Sequence, residues 1–431
     1  MLTVQPHQEA KIYIPDRITE GYGPNVDAIT SLSAENISLV VMVDCGTRAF
    51  EPLEKAKKLG LDVIILDHHQ APEELPPATA LINPNRQDDI SGQYHLAAVG
   101  VCFLFLAACN KIWRDEDTPD TPDLIQFLDL VALGTVCDLV PLKTVNRAFV
   151  SQGLKVMAGM GNIGLARLSE VVKMNRRPDT YVAGFLFGPR INAAGRLGAS
   201  HLGAKLLSTQ DGGEASNIAR ELETLNQQRQ AIEQDVYLQA EIQADKMLGS
   251  QKNPTCIITS GKNWHPGVVG IVAGRLKEKY NLPSLVIGFK DGEGTGSGRS
   301  IEGVDLGKLI SQAAESGLIT RGGGHAMAAG LSLNEKQLGD LREFFENELT
   351  DDSPRKTAAM KIDGALNASG ATLELLQLIE KAGPYGMGHP RPKFVFPSHR
   401  ITYAGVAGIN HVRCQIRSGD GSTLAHVCSD I

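Results

Sequence analysis

Apolar residues along the first 150 positions follow two alternating rhythms. Short β-branched runs, "KIYIP", "SLVVMVDCG" and "LDVIILDHH", read as strands. Between the last two, "AFEPLEKAKKLG" places its apolar positions at helical spacing and stops on Gly60. This strand, helix, strand order predicts a parallel α/β sheet. Residues 150–208 read as helical segments broken by Gly and Pro. From Asp211 a long amphipathic helix is predicted, with an apolar stripe of Ile218, Leu222, Leu225, Ile232 and Val236, and with Asp211 and Glu214 spaced as a capping box. It reads as a connector between two lobes. A second α/β pattern follows from Thr255: "TCIITS", "GVVGIVAGRLKEKYN" and "PSLVIGF", then the glycine-rich "GEGTGSGRS" and "RGGGHAMAAGLSL". Beyond a polar hinge near "TDDSPRKTAAMK", alternating runs predict a small β-barrel or meander, still in progress at Ile431.

The predicted strands end unusually. "VIILDHHQ" reads as a buried strand, yet it finishes on Asp67, His68 and His69, three polar side chains that are costly to desolvate. "VVMVDCG" likewise ends on Asp44, and "FLDLVALGTVCDLVPL" leads into Asp138. In open α/β sheets the carboxyl ends of the strands line the ligand crevice, so Asp44 and Asp67 are expected to meet on one edge. Carboxylates gathered there repel one another, and a divalent cation removes that problem. Neighbouring strand side chains point to opposite faces, so His68 and His69 do not both face one ion unless the chain bends. The economical arrangement has one imidazole on metal and the other toward substrate. Carboxylate-rich ligation with a single imidazole favours Mn²⁺ or Mg²⁺ over zinc. Cys45 and Cys137, beside these acids, read as small core residues.

Composition narrows the class further. With 431 residues, 42% hydrophobic and 21% charged, the chain has room for two or three soluble domains. No apolar run approaches the ~20 residues of a membrane span, and the N-terminal stretch lacks the pattern of a signal peptide. Seven scattered cysteines without CxxC pairing suggest reduced thiols in the cytoplasm. A net charge of −7 argues against general nucleic-acid coating, though not against a local basic groove.

Taken together, "VDCG", "LDHH" and "GTVCDLVPL" resemble the DHH phosphoesterase superfamily. "GPRINAAGRLG", "WHPGVVGIVAGRL", "GSGRS" and "GGGHAMAAG", in that order, resemble its RecJ family of 5′→3′ exonucleases specific for single-stranded DNA, and the likeness runs from "YIPDRITEGYGPN" to "AGPYGMGHPRPKF". The resemblance implies a parallel-sheet DHH lobe (1–150), a helical region with the long connector (151–250), a second α/β, DHH-associated lobe (251–352) and an incomplete oligonucleotide-binding β-barrel (353–431). It implies Asp44, His68 and Asp138 as metal ligands, His69 facing the scissile phosphate and Asp67 orienting the motif. Metal-activated water would attack the phosphodiester between two ions. For the DNA end it implies Arg17, Arg190, Arg196, Ser297, Arg299, Gly323, Gly324 and His325, with glycine-rich turns and arginines as anion grips. His265 also matches the family, with packing an equal reading, whereas His7, His95, His201 and His411 read as incidental.

One departure matters. The family's first motif, a strand ending in Asp-x-Asp-x-Asp-Gly, belongs tens of residues before "KIYIPDR", and "MLTVQPHQEA" contains no Asp. The expectation is therefore a chain that holds at most one of the family's two ions and cleaves slowly. Two other readings stay open: a phosphoesterase for short oligonucleotides, cyclic dinucleotides or pyrophosphate, and a catalytically impaired DNA-binding protein. Helicase or single-strand-binding partners are not readable from the residues.

Overall fold

The computed structural model describes residues 10–16, 20, 23–119, 121–250, 254–349, 360–407 and 411–429. After helix α1 (Val26–Ala34), capped by the Asn25 side chain on Ala28 N, come strand β1 (Leu39–Val43), α2 (Phe50–Lys58), β2 (Asp62–Leu66) and the short β3 (Ala80–Ile82). The three strands pair in parallel in the order β1-β2-β3, with Val43 opposite Leu66 and Leu66 opposite Ile82. Alternation sets the two faces. Met42, Val63 and Ile65 pack with Ile29, Leu53 and Ala56 from α1 and α2. Leu66 packs from the other face with Leu96 and Val101, at the start of α3 (Ala98–Asp115). Helices α4 (Leu128–Cys137) and α5 (Thr144–Ala158) follow and cross closely, because Gly153 leaves the carbonyl of Leu128 room that a Cβ would occupy.

Helices α6 (Ile163–Val171), α7 (Gly188–Arg196) and α8 (His201–Ser208) come next, with a π-helical turn, Val182–Phe187, ahead of α7. The 39-residue α9 (Gly212–Ser250) starts where Asp211 accepts from Glu214 N, and carries the chain from these helices to a second sheet. That sheet contains β4 (Ile257–Lys262), β5 (Ser284–Lys290), β6 (Glu293–Arg299), β7 (Arg321–His325) and β8 (Ala328–Asn334), in the order β4-β5-β6-β8-β7, with only β4 and β5 parallel. Helix α10 (Pro266–Tyr280) joins β4 to β5 and packs with α9 on one face through Val236, Ile257, Val272 and Val286. On the other face, α11 (Leu306–Glu315) and α12 (Leu338–Glu348) cover Ile258, Leu285, Ile287 and Leu331. Beyond them lie the two-residue β9 (Gly364–Ala365), α13 (Leu373–Lys381), β10 (Phe394–Val395), and the antiparallel meander β11 (Arg400–Ala407), β12 (His411–Arg417) and β13 (Thr423–Ser429).

The chain forms two compact units. One comprises Gly23–Asn162, Asn175–Leu186 and Ala359–Ile431, and the other Met1–Tyr22, Ile163–Met174 and Phe187–Ala358. The expected strand at "KIYIP" is corrected: residues 10–16 run without a ladder partner among the described residues. Their bonds are to side chains instead: Asp16 N donates to Glu20 Oε1 at 3.0 Å, the Tyr13 hydroxyl donates to the same carboxylate, and Ile14 O accepts from Ser200 Oγ at 3.4 Å.

Candidate metal centre and anion cavity

The chain turns sharply at the end of β1. Asp44 adopts φ +60°, a left-handed conformation that Asp tolerates better than most residues, while its N–H still donates to Leu66 O at 3.0 Å. At the end of β2 the side chain of Asp67, 1% exposed, becomes an anchor. Its Oδ2 accepts from Thr47 N (3.1 Å), and its Oδ1 accepts from His68 N (2.8 Å) and contacts His69 Nδ1 (2.7 Å). Burial alone would raise this carboxyl, but the hydrogen bonds from His69, Thr47 and His68 outweigh it and hold the group well below the usual carboxylate range. The same contact raises the His69 imidazole.

His68 is held the opposite way round. Its Nδ1 lies 3.0 Å from the carbonyl of Leu96, which can only accept, so Nδ1 carries the hydrogen. Its Nε2 therefore faces Asp44 Oδ1 at 3.2 Å and Asp138 Oδ2 at 3.4 Å. Asp138 reaches this position as the C-cap of α4. A neutral imidazole would aim a lone pair at two carboxylates. Without an ion the arrangement calls for a protonated ring, and although burial pulls His68 down, Asp44 and Asp138 raise it overall. Burial, with the charge of Asp44, raises Asp138. A divalent cation in place of that proton would answer the Nε2 lone pair and the two carboxylates facing it. The donor atoms that gather within 4.8 Å of one another are those of Asp44, His68 and His69, so Asp138 stands at the margin of this cluster. Hard oxygen donors with one nitrogen match Mn²⁺ or Mg²⁺. Burial pushes the thiols of Cys45 and Cys137 up to about 11, which leaves them poor ligands beside this cluster.

Three supporting residues carry no signal in the sequence pattern. Asn83 donates to Thr47 Oγ1 (2.9 Å) and to His69 O (2.8 Å), and Asn85 donates to His68 O (2.6 Å). Together with Thr47 they fix the backbone of the histidine pair. The turn-like "NPNRQ" after β3 hints only at Asn83 and Asn85, and without periodicity.

In the other unit Arg196, Ser297, Arg299 and Gly324 line one cavity of about 490 Å³, with Thr295, Gly267 and Pro266. Arg299 Nη1 donates to Ser297 Oγ (3.0 Å) and to Gly298 O (2.8 Å), and burial lowers its pKa. Arg196 Nη1 donates to Gly267 O (2.8 Å). A Cβ on Gly270 would stand 3.0 Å from Ser297 Oγ and 3.1 Å from Arg299 Nη2, so the bare glycine lets α10 come up against this pair. His265 caps α10, its Nδ1 accepting from Gly267 N at 3.0 Å, and burial lowers its pKa. Gly323 and His325 are exposed on β7, next to the cavity residue Gly324. Arg190 forms an ion pair with Glu223 of α9. Arg17 lies outside the described residues.

Three family models match the chain: the DHH family N-terminal domain over 2–135, the DHHA1 domain over 253–351 and the RecJ OB domain over 362–428. The single-stranded-DNA-specific exonuclease RecJ of Salmonella typhimurium is 38% identical over 428 residues, covering 95% of this chain and 73% of that protein. Its Escherichia coli counterpart is 37% identical, with 95% and 73% covered. Among solved structures, RecJ from Thermus thermophilus in complex with Mn²⁺ superposes with a TM-score of 0.77 at 27% identity, covering 94% of this chain. The chain spans 63% of the length of that structure. A manganese-bound exonuclease RecJ gives a TM-score of 0.65 at 30% identity, with 80% and 84% covered. In sequence and in fold alike, this chain belongs to the RecJ family of DHH proteins.

Proposed function

We propose that the chain hydrolyses phosphodiester bonds of single-stranded DNA from a free 5′ end, with Mn²⁺ or Mg²⁺, in DNA repair and recombination. The observation that carries this reading is His68 Nε2 held between the carboxylates of Asp44 and Asp138 with its other nitrogen committed to Leu96 O. Those three side chains would hold one ion, and we expect one per chain. Such an ion supplies polarisation of the phosphodiester and activation of the attacking water.

The protein's own groups do the rest. Asp67, buried and ionised, fixes His69 by its Nδ1 and favours its charged form, so that Nε2–H can be offered to a phosphate oxygen. Arg196, Arg299 and Ser297, with the backbone at Gly324, would take the terminal 5′-phosphate, and Gly323 and His325 would flank it. Arg190 would brace α7 through Glu223 and act on DNA indirectly. For Arg17 only the motif match supports a phosphate role. The boundaries 1–150, 151–250, 251–352 and 353–431 remain our assignment of the domains. No helix among the described residues is long and apolar enough to cross a membrane, and the cysteines described are free, which supports action in the cytoplasm.

Digestion of 5′- and 3′-labelled single strands and of duplex, with Mn²⁺ and with EDTA, tests the reading. Metal-dependent release from the 5′ end of single strands, lost in Asp44→Ala, is expected. Undiminished activity in EDTA, or digestion from the 3′ end, contradicts it.

A further inference from the structure

Two stacked aromatic rings are exposed on the turn that packs against the end of α4. Tyr181 and Phe185 stack on each other, ring centroids 5.2 Å apart and planes 20° from parallel. They are 50% and 68% exposed, although their neighbours Val182, Ala183 and Phe187 are fully buried. Four residues apart, Tyr181 and Phe185 face outward along the π-helical stretch while Val182, Ala183 and Phe187 enter the core. The turn is seated on the C-terminal end of α4. Cys137 Sγ donates to Ala183 O at 3.6 Å, and a Cβ on Gly184 would lie 3.2 Å from Val136 Cγ1. The next residue of that helix end is Asp138. Thr180 is anchored as well, its hydroxyl donating to Tyr385 O at 2.7 Å. Over the Tyr181 ring stands the guanidinium of Arg176, 5.7 Å from the centroid and ion-paired with Asp179, so the face the pair leaves uncovered is that of Phe185.

We infer that Tyr181 and Phe185 form a stacking shelf for an unpaired nucleobase of the strand whose phosphodiester reaches Asp44, His68 and Asp138. The inference rests on the nuclease reading above and adds to it the feature that selects single strands. A pair of exposed rings with a guanidinium alongside is the usual means of holding single-stranded nucleic acid, because every base has a π-face and the backbone is anionic. Inside a duplex both faces of a base are already covered by its neighbours, so an internal paired base has no face to give. The shelf thus discriminates without reading sequence.

The test uses the full chain with Ca²⁺ replacing Mn²⁺ to hold digestion back. Strands carrying 5-iododeoxyuridine near the 5′ end, irradiated and mapped by peptide mass, are expected to cross-link within residues 177–190. By fluorescence anisotropy, Phe185→Ala should bind base-bearing strands on the order of tenfold more weakly. Its affinity for a strand abasic at the cross-linking position should match that of the unaltered chain, and Phe185→Trp should restore the preference for the base. Cross-links that map only elsewhere, or an equal loss on abasic and base-bearing strands, overturn the shelf. Binding without metal-dependent cleavage in Mn²⁺ removes the nuclease reading and leaves the shelf intact, whereas failure to bind single strands at all removes both.

Discussion

Asp67 shows how much of the metal centre is decided by a side chain that never touches the ion site. Its two oxygens answer the backbone of Thr47, the backbone of His68 and the ring of His69. An amide in its place puts a donor where acceptors are needed and leaves a buried N–H unanswered. Asp67→Asn is therefore expected to lower unfolding free energy by about 1–3 kcal/mol. It should also weaken Mn²⁺ binding by about 10–100-fold, the usual cost of an outer-sphere loss. Denaturant unfolding in EDTA and metal calorimetry check the two parts separately. Unchanged metal affinity would show that the histidines hold their orientation unaided. The ends of the strands could be read from "VVMVDCG" and "VIILDHH" because burial periodicity stops there on groups that are expensive to bury. Thr47, Asn83 and Asn85 could not, since they act from turns through side-chain to backbone bonds that leave no periodic trace. Arg190 and Arg196 looked alike in "GPRINAAGR", yet the partners that separate them, Glu223 and Gly267, lie far along the chain.

Helix α4 joins the packing of its unit to the chemistry of its last residue. At Gly153 of α5, a Cβ would approach Leu128 O to 2.0 Å and the Ala132 methyl to 2.5 Å, so Gly153→Ala must push the helices apart. The expected cost is about 1–3 kcal/mol of stability. Because α4 ends at Asp138, weaker Mn²⁺ binding should accompany it, and thermal scans with and without the ion read both effects. The same helix carries Asp129, 2% exposed, whose pKa burial raises. A carboxyl raised on folding contributes stability below its unfolded value of about 3.9 and loses it as pH rises through the folded value. At neutral pH Asp129 is then a net cost, so Asp129→Asn should unfold at higher temperature near pH 7, with the advantage disappearing below about pH 4. The order of elements was readable from periodicity over long stretches such as α9. "KIYIP" misled because a β-branched composition describes a strand only where another strand offers it hydrogen bonds.

The two units are woven from alternating stretches of one chain, and the crossings fall near 22, 162, 174, 186 and 358. A break at 210, just before α9, leaves Asp44, His68 and Asp138 on one piece without 359–431, and Ser297 and Arg299 on the other without Arg196. Expressed apart, residues 1–210 and 211–431 should fail to give cooperative unfolding. Expressed together, they should co-purify and regain Mn²⁺ binding, as size-exclusion chromatography and calorimetry can test. A soluble, cooperatively folded 1–210 that binds the ion alone would contradict the woven arrangement. The weave also bears on heredity. A recombination crossover between two diverged genes, anywhere from α2 to α11, would give every descendant mismatched halves of both units. Only whole-block inheritance keeps the ion site matched to its sheet and the anion cavity to its helices, so the two are expected to share one phylogenetic history and to resist the shuffling that spreads self-contained modules.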